Sequence, residues 1–170
     1  MSDEIKLTDD SALNKLKELA EGIRVCMFET GPHASEIRPM STLEVDTKGN
    51  IWFFSAAESE KNKQISFHPD VRLVYSDNAN SKYLVVDGDA TIVEDRLKAA
   101  MLWTSVAKAW FPEGVDDPNL RLICVHPHKA HYWDVKYGKM IAFLQMAAAV
   151  VTGKPADIGE QGTLIIQAAS

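Results

Sequence analysis

The fold is decided by the stretch EIRPMSTLEVDTKGNIWFFS, residues 36–55, which predicts two strands joined by a turn. The first strand is predicted over Glu36–Val45 and the second over Ile51–Ser55, with the polar residues 46–50 as the turn. Pro39 has no backbone N–H to donate to a ladder, so it marks an edge, a bulge or a strand start. The stretch therefore indicates a hairpin.

The segments on both sides of this hairpin show further strand and helix patterns. Leucines at positions 13, 16 and 19 repeat at helical spacing, and Gly88 marks a bulge inside the longest strand. Further predicted strands are Ile23–Phe28, Val71–Ser76, Lys82–Val93, Leu120–Val125 and Lys129–Asp134, the last two joined around Pro127, with a β-prone patch at Leu164–Ile166. Predicted helices are Ser11–Glu21, Ser59–Phe67, a helix capped by Asp95 with an apolar face of Ala99, Leu102, Trp103, Val106 and Trp110, and Met140–Thr152.

Six or so short strands with peripheral helices predict a mostly β fold, an antiparallel six-stranded barrel with α-helical additions. The chain shows no strict βαβ alternation and no internal repeat. We expect one domain with an N-terminal helix over residues 8–22, the barrel over residues 23–138, and a C-terminal helix and tail over residues 139–170. The C-terminal helix is apolar on most faces, so we expect it to be buried against the barrel or a second subunit.

Composition excludes several classes of protein. The 170 residues are 46% hydrophobic and 25% charged, which is typical of a soluble globular domain. The net charge of −6 offers no basic field, so neither nucleic acid nor a membrane is expected as a partner. The longest apolar run, Met140–Val151, is too short to span a bilayer. Cys26 and Cys124 lie outside any Cys-x-x-Cys spacing and the N-terminus lacks a secretion signal pattern, so we expect a cytoplasmic protein.

Signals of catalysis are weak. Glycine-rich dinucleotide, P-loop and nucleophile-elbow motifs are missing from the sequence. Glu113, Asp116 and Asp117 lie in a loop rich in proline and glycine, where a solvated cluster is the simpler interpretation than an acid/base set. No side chain stands out as an acid, a base or a nucleophile, so no catalytic residue is assigned.

Three histidines raise the question of a metal site. His126, His128 and His131 lie on one predicted strand region, and imidazole is a common metal ligand. Pro127 breaks the strand face between the first two, and no acidic or thiol ligand follows at a matching spacing. An ordinary polar hairpin is the favoured interpretation, and no metal ligand is assigned.

The most informative constellation lies in and after the hairpin. Arg38 and Ser55 are predicted on neighbouring strands, and Lys61 lies in the first turn of the helix that follows. Two cations, a hydroxyl and the N–H groups at a helix start suit a phosphate monoester. The alternative is a surface salt bridge for each cation and core packing for Trp52 to Phe54.

Together these residues carry a family resemblance. The motifs are Arg38-Pro39-Met40, Trp52-Phe53-Phe54-Ser55 with Lys61 six residues later, Asn62 to Val71, Tyr83 to Gly88, Trp110-Phe111-Pro112-Glu113-Gly114 with Asp117-Pro118, and Tyr132-Trp133-Asp134. In this order and spacing the chain resembles the FMN-binding split barrels of the pyridoxamine 5'-phosphate oxidase superfamily, over about residues 8 to 160. It is most similar to the bacterial general stress protein branch.

The resemblance implies an antiparallel split barrel, FMN as cofactor and a homodimer with the flavin at the subunit interface. It implies that Arg38 and Lys61 hold the FMN phosphate. The residues implied to line the ribityl chain and the ring are Met40, Ser41, Phe54 and Ser55, together with Tyr83 at a ring-contacting position and Trp133 reaching the flavin from the partner subunit, and Pro39 is counted among the cofactor-binding residues. The function implied is that of a flavin-binding stress protein, with a flavin-dependent oxidoreductase of unknown substrate as its enzymatic form.

The sequence also departs from the oxidases. Glu60 stands where they carry a basic residue, and it would repel a phosphate if it pointed inward. Leu43, Lys139 and Ile141 stand where the oxidases bind the phosphate and ring of the B6 vitamer. Oxidation of pyridoxamine phosphate is therefore not expected.

Two alternatives stay open beside the flavoenzyme. One is a non-enzymatic flavin-binding or storage protein, and the other is a split barrel that binds FAD, haem or a deazaflavin instead of FMN. Trp110 either covers the flavin or is buried in the dimer contact, and the second is favoured.

Overall fold

The computed structural model describes residues 5–31, 36–135, 139–157 and 159–166. Nine strands lie in the described part, namely β1 Ile5–Thr8, β2 Val25–Thr30, β3 Glu36–Ser41, β4 Glu44–Val45, β5 Ile51–Ala56, β6 Asp70–Asp77, β7 Lys82–Val93, β8 Leu120–Val135 and β9 Gly159–Ile165. The α-helices are α1 Asp9–Ile23, α2 Glu60–Phe67, α3 Arg96–Leu102 and α4 Lys139–Thr152, and Ser105–Ala109 and Gly114–Asp116 form 3-10 turns.

The strands form one curled sheet in the order β3-β2-β6-β7-β8. Strand β8 continues the sheet along its other edge, where its first half pairs with β5 and its second half with β9. Every pair is antiparallel except β1 with β9. The mostly β, split-barrel architecture is confirmed, and the strand number exceeds six because β1, β4 and β9 add short pairings.

The first predicted strand of the hairpin is in fact two strands. After Ser41, the last residue of β3, the chain stops pairing with β2, and Thr42 N donates to Arg24 O at 2.8 Å. One residue later Leu43 N donates to Trp52 O at 2.9 Å, and β4 pairs with β5. The chain thus passes from one edge of the sheet to the other at this point, which interrupts the strand.

The two strands predicted around Pro127 are one continuous strand, β8. The predicted bulge at Gly88 is confirmed, because the register between β7 and β8 shifts between Asp87 and Gly88. Gly88 pairs with Pro127, and a Cβ on Gly88 would clash with the carbonyl oxygen of His126. The bulge places Pro127 where the ladder is irregular, so its missing N–H does not end the strand.

The core fills the inside of the curled sheet. Helix α1 packs on it through Ala12, Leu16, Leu19 and Ala20, which share one helix face. The helix runs from Asp9 to Ile23, two residues beyond each end of the predicted span, and is followed by Arg24, which has a left-handed φ of 73°. An ion pair joins α1 to the end of β8, where Lys15 Nζ lies 2.7 Å from an Asp134 carboxylate oxygen.

The helix predicted after Asp95 is shorter than its apolar pattern. Asp95 caps it as predicted, accepting from Lys98 N at 2.9 Å, but α3 ends at Leu102. Val106 and Trp110 are exposed, so the predicted apolar face is wrong at its C-terminal end. The pattern failed there because the chain turns into a 3-10 segment, which presents Ala107 to the core instead.

Helix α4 spans Lys139–Thr152, which confirms the predicted helix. Its described side chains do not show the burial against the barrel that the sequence predicted. Among its described side chains, Met146, Val150 and Val151 are exposed, the last two to 86%. Gly153, at φ 68°, follows the helix and donates its N–H to Ala149 O at 2.8 Å. None of the helices in the described ranges combines the length and the apolar character that crossing a membrane needs.

Candidate functional site

The guanidinium of Arg38 is held at the rim of the sheet by β2 and α2. Arg38 lies on edge strand β3, whose Pro39 faces Met27 in the ladder, as expected for a proline in an edge strand. Its Nη1 donates to the hydroxyl of buried Thr30 at 3.0 Å, and its Nη2 donates to Gln64 Oε1 at 3.3 Å. These bonds hold the guanidinium between β2 and the middle of α2.

Lys61 lies in the first turn of α2, in the electric field of Arg38. Burial, and then the positive charge of Arg38, hold the pKa of Lys61 below its ordinary value. Within the described residues, no carboxylate oxygen lies within 4 Å of Lys61 Nζ. The hydrogen bond of Arg38 to Gln64, which follows Lys61 by three residues on α2, puts the two predicted cations in the same part of the molecule. Two positive charges near each other favour the binding of an anion.

A carboxylate that the sequence analysis did not single out also touches this site. Glu36 lies two residues before Arg38 on β3, and its carboxylate accepts from Arg38 Nη2 in a close ion pair. Residues two apart in a strand share a face, so this spacing was the available signal. Gln64 had a similar signal, because it follows Lys61 by three residues on one helix face.

Glu60, by contrast, faces away from the site. Its Oε1 lies 2.8 Å from Lys63 Nζ on the exposed side of α2. The repulsion that an inward-pointing Glu60 would impose on a phosphate therefore does not arise in this structure. Glu36 is the acidic side chain that the described contacts place beside Arg38.

Ser55 is buried at the end of β5 and forms a hydrogen bond with α2. Its hydroxyl donates to Asn62 Oδ1, and its Oγ lies 3.4 Å from Ser59 Oγ. Asn62 in turn donates to the carbonyl of Ala56 at 2.9 Å. These bonds hold the start of α2 against the end of β5. The hydroxyl of Ser55 is engaged within the fold, and Ser55 does not lie on a strand next to Arg38 as predicted, because β5 pairs with β4 and β8 and β3 pairs with β2.

The other predicted site residues divide between the two faces of the sheet. Met40 packs against the main core on the same side as Arg38, whereas Pro39 and Ser41 are exposed on the opposite side. Phe54 belongs to a second cluster beneath α3, with its ring centroid 5.7 Å from that of Trp103 and 6.2 Å from that of Phe111. The contacts described for Phe54 are therefore packing contacts.

Tyr83 and Trp133 are directly opposite each other on β7 and β8. They are 36% and 42% exposed, and they stand on the outer face of the sheet, whereas Arg38 points to the inner side. The register places Met27, Val74 and Val85 side by side on that outer face. One chain therefore does not bring Tyr83 and Trp133 to the Arg38–Lys61 pair.

The three histidines have separate partners. His126 Nδ1 lies 2.8 Å from Asn50 Oδ1, His128 Nε2 lies 2.8 Å from an Asp89 oxygen, and His131 Nδ1 lies 2.9 Å from Thr163 Oγ1. The described residues contain no group of three side chains arranged to hold a metal ion.

The predicted solvated cluster after α3 is wrong for one of its members. Asp117 is buried, and its carboxylate accepts from the backbone N–H of Asn119 at 3.0 Å and of Glu113 at 3.4 Å. It organises the loop, as short acidic side chains do in tight turns.

The chain is similar to a known protein family and to a curated relative. A family model described as pyridoxamine 5'-phosphate oxidase like matches residues 11–157. A curated relative, protein bli-3 of Neurospora crassa, is 25% identical over 119 residues. That match covers 65% of this chain and only 57% of the length of bli-3.

Solved structures share the fold over most of the chain. A protein of Jannaschia sp. CCS1, provisionally named general stress protein 26, is 27% identical with a TM-score of 0.79, and the match covers 91% of this chain and 99% of that one. A general stress FMN/FAD binding protein of Xanthomonas citri is 22% identical with a TM-score of 0.63, covering 74% of this chain and 90% of that one. The second likeness shows the fold alone.

Proposed function

The chain belongs to the pyridoxamine 5'-phosphate oxidase like family, and we propose that it is a general stress-type protein that binds FMN as a homodimer, with the phosphate held by Arg38 and Lys61. The observation that carries the proposal is the hydrogen bond of Arg38 to Gln64 of α2, the helix whose first turn holds Lys61, which brings two cations to one end of the sheet. The phosphate of FMN carries about 1.5 to 2 negative charges at neutral pH, in line with other phosphate monoesters. Such a group would accept charge-assisted hydrogen bonds from both side chains.

The homodimer is proposed from the outer face of the sheet. Val25, Met27, Ile37, Tyr83 and Trp133 are all exposed there, although they are apolar or aromatic. Large exposed apolar patches on soluble proteins mark contact surfaces. A second copy seated on this face would cover it, and would bring aromatic side chains from one subunit toward the anion site of the other, as the family resemblance implies for Trp133.

The chemistry proposed is that of a flavin-dependent oxidoreductase. When bound, the flavin supplies hydride or electron transfer, and the protein contributes binding and orientation. Burial raises the pKa of the Cys26 and Cys124 thiols to about 12, so both are neutral at physiological pH and neither is an activated nucleophile. These buried, unpaired thiols also support the cytoplasmic location that we propose.

Pyridoxamine phosphate is not the proposed substrate. Leu43 is partly buried against the cluster beneath α3, where it offers a vitamin phosphate no hydrogen bond. The other two departures, Lys139 and Ile141, have side chains outside the described part. Anaerobic mixing of the FMN complex with NADH or NADPH separates turnover from storage, because bleaching of the flavin within the mixing experiment requires electron transfer.

The binding proposal is tested by Arg38→Ala combined with Lys61→Ala. We expect this variant to lose at least about tenfold in affinity for FMN, because each charge-assisted hydrogen bond contributes about 1.5–3 kcal/mol. Flavin fluorescence titration measures the affinity. Lys48→Ala combined with Lys108→Ala removes the same charge from exposed positions away from the site and serves as the control. Equal FMN affinity in the site variant and the control would refute the phosphate assignment.

A further inference from the structure

Helix α4 lies in a long connection between two paired strands. Val135, the last residue of β8, pairs with Gly159, the first residue of β9, so the chain leaves the sheet and returns to it at one point. A tight turn would be enough to join these antiparallel neighbours, but the connection takes up residues 136–158 and carries α4. Lys139, the first residue of α4, lies within about 14 Å of Val135, because the chain between them can span no more.

The surface of α4 is apolar and is open to solvent in the single chain. Residues 140–153 include no charged side chain. Among the described side chains of the helix, residues 145–152, none is buried, and Val150 and Val151 are each 86% exposed. A helix that is apolar on all sides is normally buried. Since the described part of the chain does not cover these side chains, a second molecule is needed to cover them.

The position of α4 favours a second copy of this chain as that molecule. Trp133 lies two residues before Val135, and with its neighbour Tyr83 it stands on the outer face of the sheet that the proposed homodimer covers. In a two-fold dimer both subunits present the same surface, so each copy of α4 starts beside the shared contact. A helix that lies on a membrane surface carries Lys or Arg on its polar side, and residues 140–153 contain neither.

The exposed area also favours a second copy. The outer face offers roughly 450 Å² in its five exposed apolar and aromatic side chains, which is less than the roughly 650 Å² of apolar surface that each subunit of an obligate homodimer buries. Met146, Val150 and Val151 add roughly 350 Å², which brings the apolar surface to the amount that such a dimer needs.

We propose that α4 is an intersubunit arm, whose Met146, Val150 and Val151 pack against the partner subunit beside the outer face of the sheet. This inference rests on the proposed function, since it assumes the homodimer. The arm stabilises the dimer through apolar contact and is separate from the side chains that we propose for the flavin phosphate.

Val150→Glu combined with Val151→Glu tests the arm. Both side chains are exposed in the single chain, so the monomer should keep its fold, and circular dichroism checks this. We expect the dissociation constant of the dimer to rise at least about tenfold, because two charges would be buried in an apolar contact. Sedimentation velocity over a dilution series measures the constant. Leu97→Glu combined with Met101→Glu changes two apolar side chains of α3 that are 81% and 78% exposed, and it should leave the constant unchanged.

Labelling of an introduced thiol is a second measurement, which adds no charge to the contact. Val150→Cys should react with a water-soluble maleimide several-fold more slowly in the dimer than after dilution to the monomer. Met101→Cys, on exposed α3, should react at the same rate in both. The native Cys26 and Cys124 are buried, and the wild type measures their background reaction.

The outcomes separate the arm from the homodimer itself. A wild type that dimerises no better than the Val150→Glu and Val151→Glu variant, or a Val150→Cys thiol that reacts at one rate in dimer and monomer, would overturn the arm and leave the proposed function standing. A wild type that stays monomeric when saturated with FMN would overturn the proposed homodimer, and the arm with it. Co-sedimentation of the wild type, but not of the double glutamate variant, with phosphatidylcholine vesicles would assign α4 to a lipid surface and overturn the arm.

Discussion

Two positive side chains, Arg38 and Lys61, lie in each other's field at the rim of the sheet, and this arrangement destabilises the flavin-free fold. The pKa of Lys61 is lowered, first by burial and then by Arg38, so the folded chain holds the lysine proton less tightly than the unfolded chain does. The penalty is therefore fully present at neutral pH and disappears only as the pH rises toward the ordinary lysine pKa. Binding sites commonly trade stability for function in this way.

Lys61→Met is expected to separate the effect of Lys61 on stability from its effect on FMN binding. Methionine keeps the length of the side chain and removes the charge, so the melting temperature of the flavin-free protein should rise by about 1–3 °C. FMN affinity should fall at least about tenfold, since one charge-assisted partner of the phosphate is lost. Scanning calorimetry and flavin titration measure the two quantities. Lys48→Met, at an exposed position of the turn before β5, should change neither by a comparable amount, and a Lys61→Met protein less stable than the wild type would contradict the account.

The residues around this pair show what a sequence alone reveals about a site. The predicted hairpin placed Arg38 and Ser55 on neighbouring strands, which is wrong, because β3 pairs with β2 whereas β5 pairs with β4 and β8. Arg38 approaches the helix of Lys61 through its hydrogen bond to Gln64 instead, a contact between segments that are distant in sequence. The hydroxyl of Thr30 and the carboxylate of Glu36 were not anticipated, since their contacts depend on side-chain rotamers at the strand edge. Ser55 was expected beside a ligand, and its hydrogen bond to buried Asn62 could not be foreseen for the same reason.

At the scale of elements, the long strands β7 and β8 depend on one backbone irregularity. The bulge between Asp87 and Gly88 lets the backbones approach so closely that no Cβ fits at Gly88. Gly88→Ala should lower the free energy of unfolding by about 2–4 kcal/mol, because the clash is with backbone atoms that cannot move aside independently. Urea unfolding measures it.

A matched glycine serves as the control for that prediction. Gly22 lies in the last turn of α1, is exposed, and has no atom within 4 Å of a Cβ placed on it. Gly22→Ala should therefore stabilise the protein by about 0.5–1 kcal/mol, because alanine restricts the unfolded chain. If Gly88→Ala were as stable as Gly22→Ala, the bulge would not impose the close approach described.

Helices and strands were predicted correctly where the periodicity of the sequence was sufficient. They were predicted wrongly where the structure depends on pairing between segments that are distant in sequence. Alternation was sufficient for β2, β6 and β7. The break at Thr42 was missed because it depends on a partner at Arg24 that is distant in sequence. Strand β8 was predicted as two strands because Pro127 suggested a turn, whereas His128 is an extra residue of β8 opposite Asp87 and Gly88 and the strand continues through this irregularity. The apolar stripe of α3 continued into Val106 and Trp110, which the single chain leaves exposed.

For the whole molecule, the exposed apolar surface is the feature that one chain leaves unexplained. The outer face of the sheet around Met27 and Trp133 is one such surface, and the described half of α4, with Val150 and Val151, is another. A homodimer would bury the first of these. It would also complete the proposed flavin site, because Tyr83 and Trp133 stand on the face opposite to Arg38.

Native mass spectrometry of the protein saturated with FMN tests this account most directly. We expect a complex of two chains with two FMN molecules. Met27→Glu, which places a charge on the outer face, should give monomers with weakened flavin binding, whereas Met101→Glu on exposed α3 should behave as the wild type. A wild-type protein that remains free of FMN at saturating concentration, whether monomeric or dimeric, would contradict the central claim.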